Sequence, residues 1–298
     1  MSKVMVLAGY GLNCEEETLH AFEHAGLTGV IRHINDLIEN PQELNNVQIL
    51  AVPGGFSYGD DTGSGNAFAQ KMKLALWDHL KRFVERDTLT IGICNGCQIL
   101  TNLGLAPPAG HDYGERLVAV TYNLTARYQC RWIDLKVEPN NSPWLTGVRS
   151  LHVPVAHGEG RFMMEPGTLK TLQKNNQVAL TYVKPDGQPA NGEFPFNPNG
   201  STVDIAGITD PSGRVLALMP HPERGMFTWQ RDDYDPTGRV LALMPHPERG
   251  MFTWQRDDYD RLKDKAQREG RKLPLESDGM ALFRNAAAYF EISKKKTA

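Results

Sequence analysis

Cysteine is scarce in this 298-residue chain, with four residues at positions 14, 94, 97 and 130. Only Cys94 and Cys97 have Cys-x-x-Cys spacing, so no second pair completes a tetrahedral zinc site, and no metal is expected. Thiols so few and so unevenly spaced fit a reducing cytosol better than a disulfide framework. An excess of charge is also missing. The net charge of −3 gives no whole-chain attraction to nucleic acid or to a membrane surface. No apolar run reaches the about 20 residues that a membrane span requires. The apolar opening, residues 1–9, is too short for a signal peptide. A cytoplasmic protein with neither nucleic-acid nor membrane partners is expected. What remains is an ordinary globular chain, 40% hydrophobic and 22% charged, with length for one large α/β domain or two small ones.

Strands and helices alternate along the first third. Strands are predicted at 4–8, 30–34, 48–52 and 88–93, and a helix at 15–25. Phe68, Met72, Leu76, Leu80 and Phe83 step along one face of a second helix. Such alternation implies a parallel sheet covered on both faces, with ligands beyond the carboxyl ends of the strands. Residues 117–183 are richer in strand and are expected to add sheet at the edge of the same domain. Ser277 or Asp278 can cap a last helix that turns Met280, Phe283, Ala287 and Phe290 inward.

Cys94 stands where the apolar run 88–93 gives way to the helical spacing of Gln98, Ile99 and Leu100. Gly92 and Gly96 flank it, which permits a tight turn. A thiol there faces the positive end of the following helix, which favours the thiolate, and the N–H of Asn95 points at an oxyanion formed on an attacked carbonyl. Taken alone, the segment reads equally well as a buried structural cysteine or as a redox dithiol with Cys97.

A partner base would decide between these readings, and the chain holds two candidates. Residues 211–235 recur at 236–260 with only Ser212 changed, to Thr237. Two copies do not make a solenoid. Each copy carries a strand followed by Pro-His-Pro-Glu, giving His221 and Glu223 or His246 and Glu248. The prolines forbid helix, so histidine and glutamate project to one side at i and i+2. An imidazole can then take a thiol proton while the carboxylate orients it. Gly54 and Gly55, directly after the strand at 48–52, let backbone N–H groups approach a ligand and supply a second oxyanion donor.

Together these segments resemble the class I (triad-type) glutamine amidotransferases, and within them the glutaminase subunits of phosphoribosylformylglycinamidine synthase, an enzyme of purine biosynthesis. The likeness is carried by Gly54-Gly-Phe-Ser-Tyr-Gly-Asp60, Gly92-Ile-Cys-Asn-Gly-Cys-Gln98, Pro154-Val-Ala-His-Gly-Glu-Gly-Arg161, Asn197-Pro-Asn-Gly-Ser201 and Pro220-His-Pro-Glu-Arg224. The resemblance implies glutamine hydrolysis through a glutamyl thioester on Cys94, with a His-x-Glu pair completing the triad. Gly55 and Asn95 would supply the oxyanion donors, with Gly54 beside them, and Gln98 would line the glutamine site. It further implies a synthetase subunit that uses the ammonia, ATP and magnesium to make formylglycinamidine ribonucleotide, and a small accessory subunit. No cofactor is expected in this chain itself. His157 is expected to shape the site or a partner interface, Cys97 to be a small packed residue, and Cys14 to be structural. The fold so implied is α/β: a flavodoxin-like, open, mostly parallel sheet with helices on both faces and additional edge strands. It would form a single amidotransferase domain over 1–298 that contains the duplication.

Three rival readings compete with this one. A γ-glutamyl or cysteine hydrolase of the same fold would act without a synthetase. A non-enzymatic pseudo-subunit would have lost its triad to the duplication. A redox pair would need Cys97 as much as Cys94.

Loop lengths distinguish the two copies. Using His221 and Glu223 leaves the extra residues in the long stretch before the last helix, lengthening roughly 30 residues by less than one doubling, at most about 0.6 kcal/mol. Using His246 and Glu248 forces them into the tight turn at 210–213, about three doublings, or roughly 2 kcal/mol. The first copy is favoured. His221→Ala is therefore expected to abolish glutamine hydrolysis and His246→Ala largely to spare it. Equal loss from both, or loss only from the second, in a glutamate-release assay would contradict the assignment.

Overall fold

The computed structural model describes residues 2–108, 112–226 and 279–296. The second repeat copy, with His246 and Glu248, and the cap residues Ser277 and Asp278 lie outside the described residues.

The expected strands and helices of the first third form a parallel layer. β1 (Lys3–Ala8), β2 (Thr28–His33), β3 (Ile49–Val52) and β4 (Leu89–Ile93) alternate with α1 (Glu15–His24), α2 (Ile34–Glu39) and α3 (Asn66–Glu85). The apolar face read from the sequence is buried in α3, where Phe68, Met72, Leu76, Leu80 and Phe83 are all at or near zero exposure. Ile34, assigned from sequence to the end of a strand, instead begins α2. The His33 imidazole caps that helix by accepting from Asn35 N–H at 3.2 Å, a local bond that overrides β propensity.

α4 (Asn95–Asn102) follows β4, and then the chain turns to sheet. β5 (Val118–Thr121), β6 (Gln129–Val137), β7 (Ser150–His157), β8 (Arg161–Met164) and β9 (Val178–Val183) occupy the strand-rich stretch. One helix, α5 (Pro166–Lys174), interrupts it and was not read from the sequence; Pro166 sits in its first turn, where a missing N–H costs nothing. β10 (Ile205–Thr209) and β11 (Val215–Leu218) form the expected hairpin, with Gly213 at φ 74° in the turn. The last helix, α6 (Met280–Lys296), packs Phe283 edge-on against Phe22 of α1, ring centroids 4.9 Å apart.

The result is an α/β fold with a mixed sheet, parallel in one half and antiparallel in the other, flanked by helices. Nine strands run in the order β2-β1-β3-β4-β11-β10-β9-β6-β7, the first five paired in parallel and the rest antiparallel. β5 and β8 pair separately. No helix among the described residues is long and apolar enough to cross a membrane.

The antiparallel strands do more than extend an edge. Pro154 of β7, the outermost strand, accepts the N–H of His221 at 2.8 Å. The antiparallel half therefore curls back over the carboxyl end of the parallel half, where β3, β4 and β11 terminate in register.

Gly92 and Gly96 act there through space rather than through unusual dihedrals. A Cβ on Gly92 would lie 2.5 Å from the Gly96 carbonyl oxygen, and one on Gly96 would lie 1.8 Å from that of Val52. Gly96→Ala is expected to destabilise the protein by about 3 kcal/mol or more, because backbone rather than a flexible side chain blocks the methyl. Gly167→Ala, in α5 with nothing within 4 Å of the added methyl, is the matched control and should be neutral or slightly stabilising. Denaturant midpoints of the two variants check this, and equal midpoints would contradict it.

Candidate functional site

Cys94 connects β4 to α4 with φ 52° and ψ −106°, a conformation that disfavours any residue with a side chain. The turn is held in place by Cys94 N–H donating to the Leu218 carbonyl at 2.8 Å and by Gln98 N–H donating to the Cys94 carbonyl at 3.1 Å. The thiol is buried and lies 3.6 Å from the Ala156 carbonyl at the end of β7. Asn95 is the first residue of α4, so its N–H has no carbonyl one turn earlier to bond. The N–H of Gly55 has no backbone acceptor among the described residues, whereas the next one, Phe56 N–H, is tied to Gly11 at 2.9 Å. Gly55 has φ 153°, and a Cβ there would lie 2.4 Å from the Gly11 carbonyl oxygen.

β11 carries the first repeat copy to the same place. His221 and Glu223 are both buried, and His221 Nδ1 lies 2.6 Å from Glu223 Oε1. The other ring nitrogen, Nε2, has no hydrogen-bond partner among the described residues. The imidazole and Cys94 face each other across Gly54. A Cβ built on that glycine would be 2.8 Å from His221 Cε1 and 3.5 Å from Cys94 Cβ. Burial opposes a charge on His221, yet the Glu223 carboxylate and then the Cys94 sulfur hold its pKa well above the usual histidine range. The Glu223 carboxylate and the Cys94 sulfur thus both favour the protonated form of the ring.

The remaining sequence-predicted residues gather around this pair. Asn95 accepts from Ser57 N–H at 3.1 Å through Oδ1, and its Nδ2 donates to Gln98 Oε1 at 2.8 Å. Gln98 Nε2 donates to the Glu159 carbonyl at 2.5 Å, which ties α4 to the loop after β7. His157, the last residue of β7, is buried, with Nδ1 at 3.1 Å from Asn123 Oδ1 and Nε2 at 3.5 Å from Asn199 Nδ2. Burial, and then the charge of His221, push its pKa down to about 3, so His157 is a neutral support for the loop. The Asn197–Ser201 segment also braces this loop, with Asn199 Nδ2 donating to Gly160 O at 2.9 Å and Phe162 N–H to Ser201 Oγ at 3.0 Å. Cys97 is fully buried and its thiol pKa is raised well above the ordinary range by that burial, as suits a packed residue.

Sequence reasoning missed four participants. Cys14, expected to be structural, lies with its sulfur, a ring nitrogen of His221 and a carboxylate oxygen of Glu223 all within 4.8 Å of one another. Arg224 Nη2 donates to the Cys14 sulfur at 3.0 Å, which places a positive charge where a divalent cation would be repelled. Asp60 and Glu159 bring two carboxylates to the other side of Gln98. Asp60 Oδ1 is 3.4 Å from Asn95 Nδ2, and Glu159 Oε2 is 3.4 Å from Ser64 N. Burial, and the charge of Glu159, push the Asp60 carboxyl up to about 6. Asp60, Glu159 and Arg224 lay inside segments already singled out, but nothing in their spacing announced a role.

A strained cysteine between strand and helix, with a buried histidine–glutamate pair just beyond the adjacent strand, fits the triad-type glutamine amidotransferases. A family model described as a CobB/CobQ-like glutamine amidotransferase domain matches residues 1–236 and 234–290. Within that class the chain belongs to the family of glutaminase subunits of phosphoribosylformylglycinamidine synthase. It is 45% identical over 290 residues to "Phosphoribosylformylglycinamidine synthase subunit PurQ" of Methanococcus maripaludis, covering 97% of each chain. The protein of that name from Dehalococcoides mccartyi is 44% identical over 227 residues, 75% of this chain and 86% of its own. Among solved structures, a chain of PurLQS from Thermotoga maritima is similar with a TM-score of 0.58 and 31% identity, over 75% of this chain and 89% of its own.

Proposed function

We propose that the chain hydrolyses L-glutamine at Cys94 and passes the ammonia to a synthetase subunit that makes formylglycinamidine ribonucleotide, with a small accessory subunit in the same complex. The observation that carries the chemistry is the buried His221–Glu223 pair at 2.6 Å beside a strained cysteine. The partners are inferred from the names of the relatives, PurQ and PurLQS. ATP and magnesium would be used by the synthetase, and this chain would need no cofactor of its own. The cytoplasm is the proposed location. The order β2-β1-β3-β4-β11 of the parallel strands supports a flavodoxin-like description of that half.

In the proposed reaction the Cys94 thiolate adds to the side-chain amide carbon of glutamine. The negative charge gathers on the amide oxygen, towards which the N–H groups of Gly55 and Asn95 are directed. The His221 imidazolium gives its proton to the departing nitrogen, ammonia leaves, and a glutamyl thioester remains. The now neutral His221 takes a proton from water, the hydroxide adds to the thioester, and collapse releases glutamate and the Cys94 thiolate. Glu223 accepts the hydrogen bond from Nδ1–H throughout, fixing the ring so that Nε2 serves both transfers.

The α-ammonium of glutamine needs a negative partner at the far end of the site. Asp60 and Glu159, flanking Gln98, supply one, and their mutual repulsion is relieved when the ammonium enters. Exposed aromatic side chains lie near the site, with Tyr10 stacked on Tyr58 at 4.7 Å between centroids and Phe56 6.1 Å from Tyr128, whose phenol feels the charges of Cys94 and His221. Exposed aromatics of this kind favour a partner surface over bulk water.

Cys94→Ser, assayed with the synthetase, is expected to remove glutamine-dependent product formation while ammonium chloride still supports it. Retained glutamine-dependent activity would sink the nucleophile assignment, and vigorous cleavage of γ-glutamyl peptides without a synthetase would favour the hydrolase reading. Asp60→Asn is expected to raise KM for glutamine about tenfold, with kcat changing much less. Because the Asp60 carboxyl titrates at about 6, KM of the unaltered protein should also rise as pH falls below that value, and this dependence should vanish in the variant. An unchanged KM in Asp60→Asn would remove Asp60 from the binding site.

A further inference from the structure

The dyad oxygen Glu223 Oε1 has two suitors. His221 Nδ1 lies 2.6 Å away, and Arg224 Nε, on the very next residue, lies 3.8 Å away. A guanidinium can bind a carboxylate with two parallel N–H bonds, so an unrestrained Arg224 would compete with the imidazole for Glu223. Something must hold it off. Arg224 Nη2 donates to the Cys14 sulfur at 3.0 Å and lies 3.3 Å from Glu17 Oε1. Both acceptors belong to the start of α1: Cys14 is the residue just before the helix, and Glu17 is in its first turn. The side chains of Arg224 and Glu17 are only 12% and 21% exposed, so this ion pair is sheltered from the screening that makes surface pairs weak.

We propose that Glu17 and Cys14 are positioning residues for the glutaminase reaction, acting through Arg224 to reserve the Glu223 carboxylate for His221. The inference rests on the reading of His221 as the acid and base of that reaction. Glu17 supplies the negative charge that satisfies the guanidinium, and Cys14 supplies a neutral acceptor that fixes its outer nitrogen. Burial pushes the Cys14 thiol up to about 11, opposed first by its hydrogen bonding with His221 and then by the charges of His221 and Arg224. Cys14 therefore stays a thiol at neutral pH and does not compete with Cys94 as a nucleophile. Gly54 leaves the space that lets the two sulfurs flank one imidazole, since a Cβ there would lie 3.0 Å from Cys14 Sγ.

The groups that face His221 come from every side of the site. Glu223 and Arg224 share its turn, Cys94 comes from the elbow and Cys14 from the residue before α1, while Glu17 of α1 reaches it only through Arg224. Neutral His157 and the Tyr128 phenol face it from the β6 and β7 side. Of these, Glu17 is the negative charge that can be removed without touching the reacting groups. With Glu17→Gln the guanidinium keeps a hydrogen-bond acceptor but loses its balancing charge and draws on Glu223. The imidazolium loses support, and the pH at which His221 gives up its proton falls.

The experiment is the pH profile of kcat/KM for glutamine, measured on the complex with the synthetase, for the unaltered protein, Glu17→Gln, Cys14→Ser, Cys14→Ala and His221→Ala. In Glu17→Gln the alkaline limb should move down by about half a pH unit or more. KM near the optimum should stay within roughly twofold, as expected for a group that does not bind substrate. Ammonium-dependent synthesis should be unaffected. Cys14→Ser should lie close to the unaltered protein and Cys14→Ala should shift in the direction of Glu17→Gln. If Glu17→Gln fails to fold, the comparison of Cys14→Ser with Cys14→Ala carries the test. An unmoved alkaline limb, whatever happens to thermal stability, overturns the inference and leaves Glu17 and Cys14 structural. Full activity in His221→Ala would instead overturn the underlying reading, so the two failures are distinguishable.

Discussion

The parallel pairing of β4 with β11 is the contact on which this site depends. Leu218 pairs with Ile93, so the two strands end level with each other, and the residues just beyond them are Cys94 on one side and the Pro-His-Pro-Glu turn on the other. A thiol and an imidazole that are 127 positions apart in the chain are thereby made neighbours by backbone hydrogen bonds rather than by side-chain chance. A slip of one residue in that pairing would point the residues after each strand to opposite faces and dismantle the pair. The close contact of Gly96 with Val52 does the same for the third strand, fixing the Gly54-Gly55 loop against the elbow.

The antiparallel half serves this centre from outside. It curls over the ends of the parallel strands so that Pro154 takes the N–H of His221 and Ala156 takes the thiol of Cys94. His157, Asn123, Asn199 and Ser201 form a buried hydrogen-bonded brace behind that loop. Such a network is stabilising only when its members are satisfied together, and here both nitrogens of His157 have partners. His221 differs from His157 in that its Nε2 has no hydrogen-bond partner among the described residues, as the proposed proton transfers require.

Much of this was legible in the sequence. Apolar periodicity located β1, β3, β4, α1 and α3, because burial on one face of a helix or on both faces of a central strand leaves a pattern in the chain itself. The elbow at Cys94 was readable because glycine shapes what the backbone can do. Pro-His-Pro-Glu, expected to stay extended, instead enters a short 3-10 helix at Pro222–Arg224, which a proline can begin because its missing N–H costs nothing in a first turn. The structure brings His221 and Glu223 of the first repeat copy together, while the second copy lies outside the described residues, so the preference for the first copy from loop closure still stands as an expectation. Less visible were features created by tertiary contact. α2 depends on one side-chain cap, and α5 is nine residues set among strands. Cys14, Glu17 and Arg224 meet across more than 200 positions, and no local spacing encodes that meeting. Asp60 and Glu159 likewise acquire their importance only when two loops close on Gln98.

The account rests on Cys94 being made reactive by His221. The direct measurement is peptide mapping of the adduct formed by a glutamine analogue with an electrophilic carbon in place of the side-chain amide. It is to be made on the complex with its synthetase, for the unaltered protein and for variants at both repeat histidines. The account predicts a single adduct on Cys94, formed at least about a hundredfold more slowly when His221 is alanine and at an unaltered rate when His246 is alanine. An adduct on Cys14 or Cys97, or a rate that depends on His246 and not on His221, would contradict it.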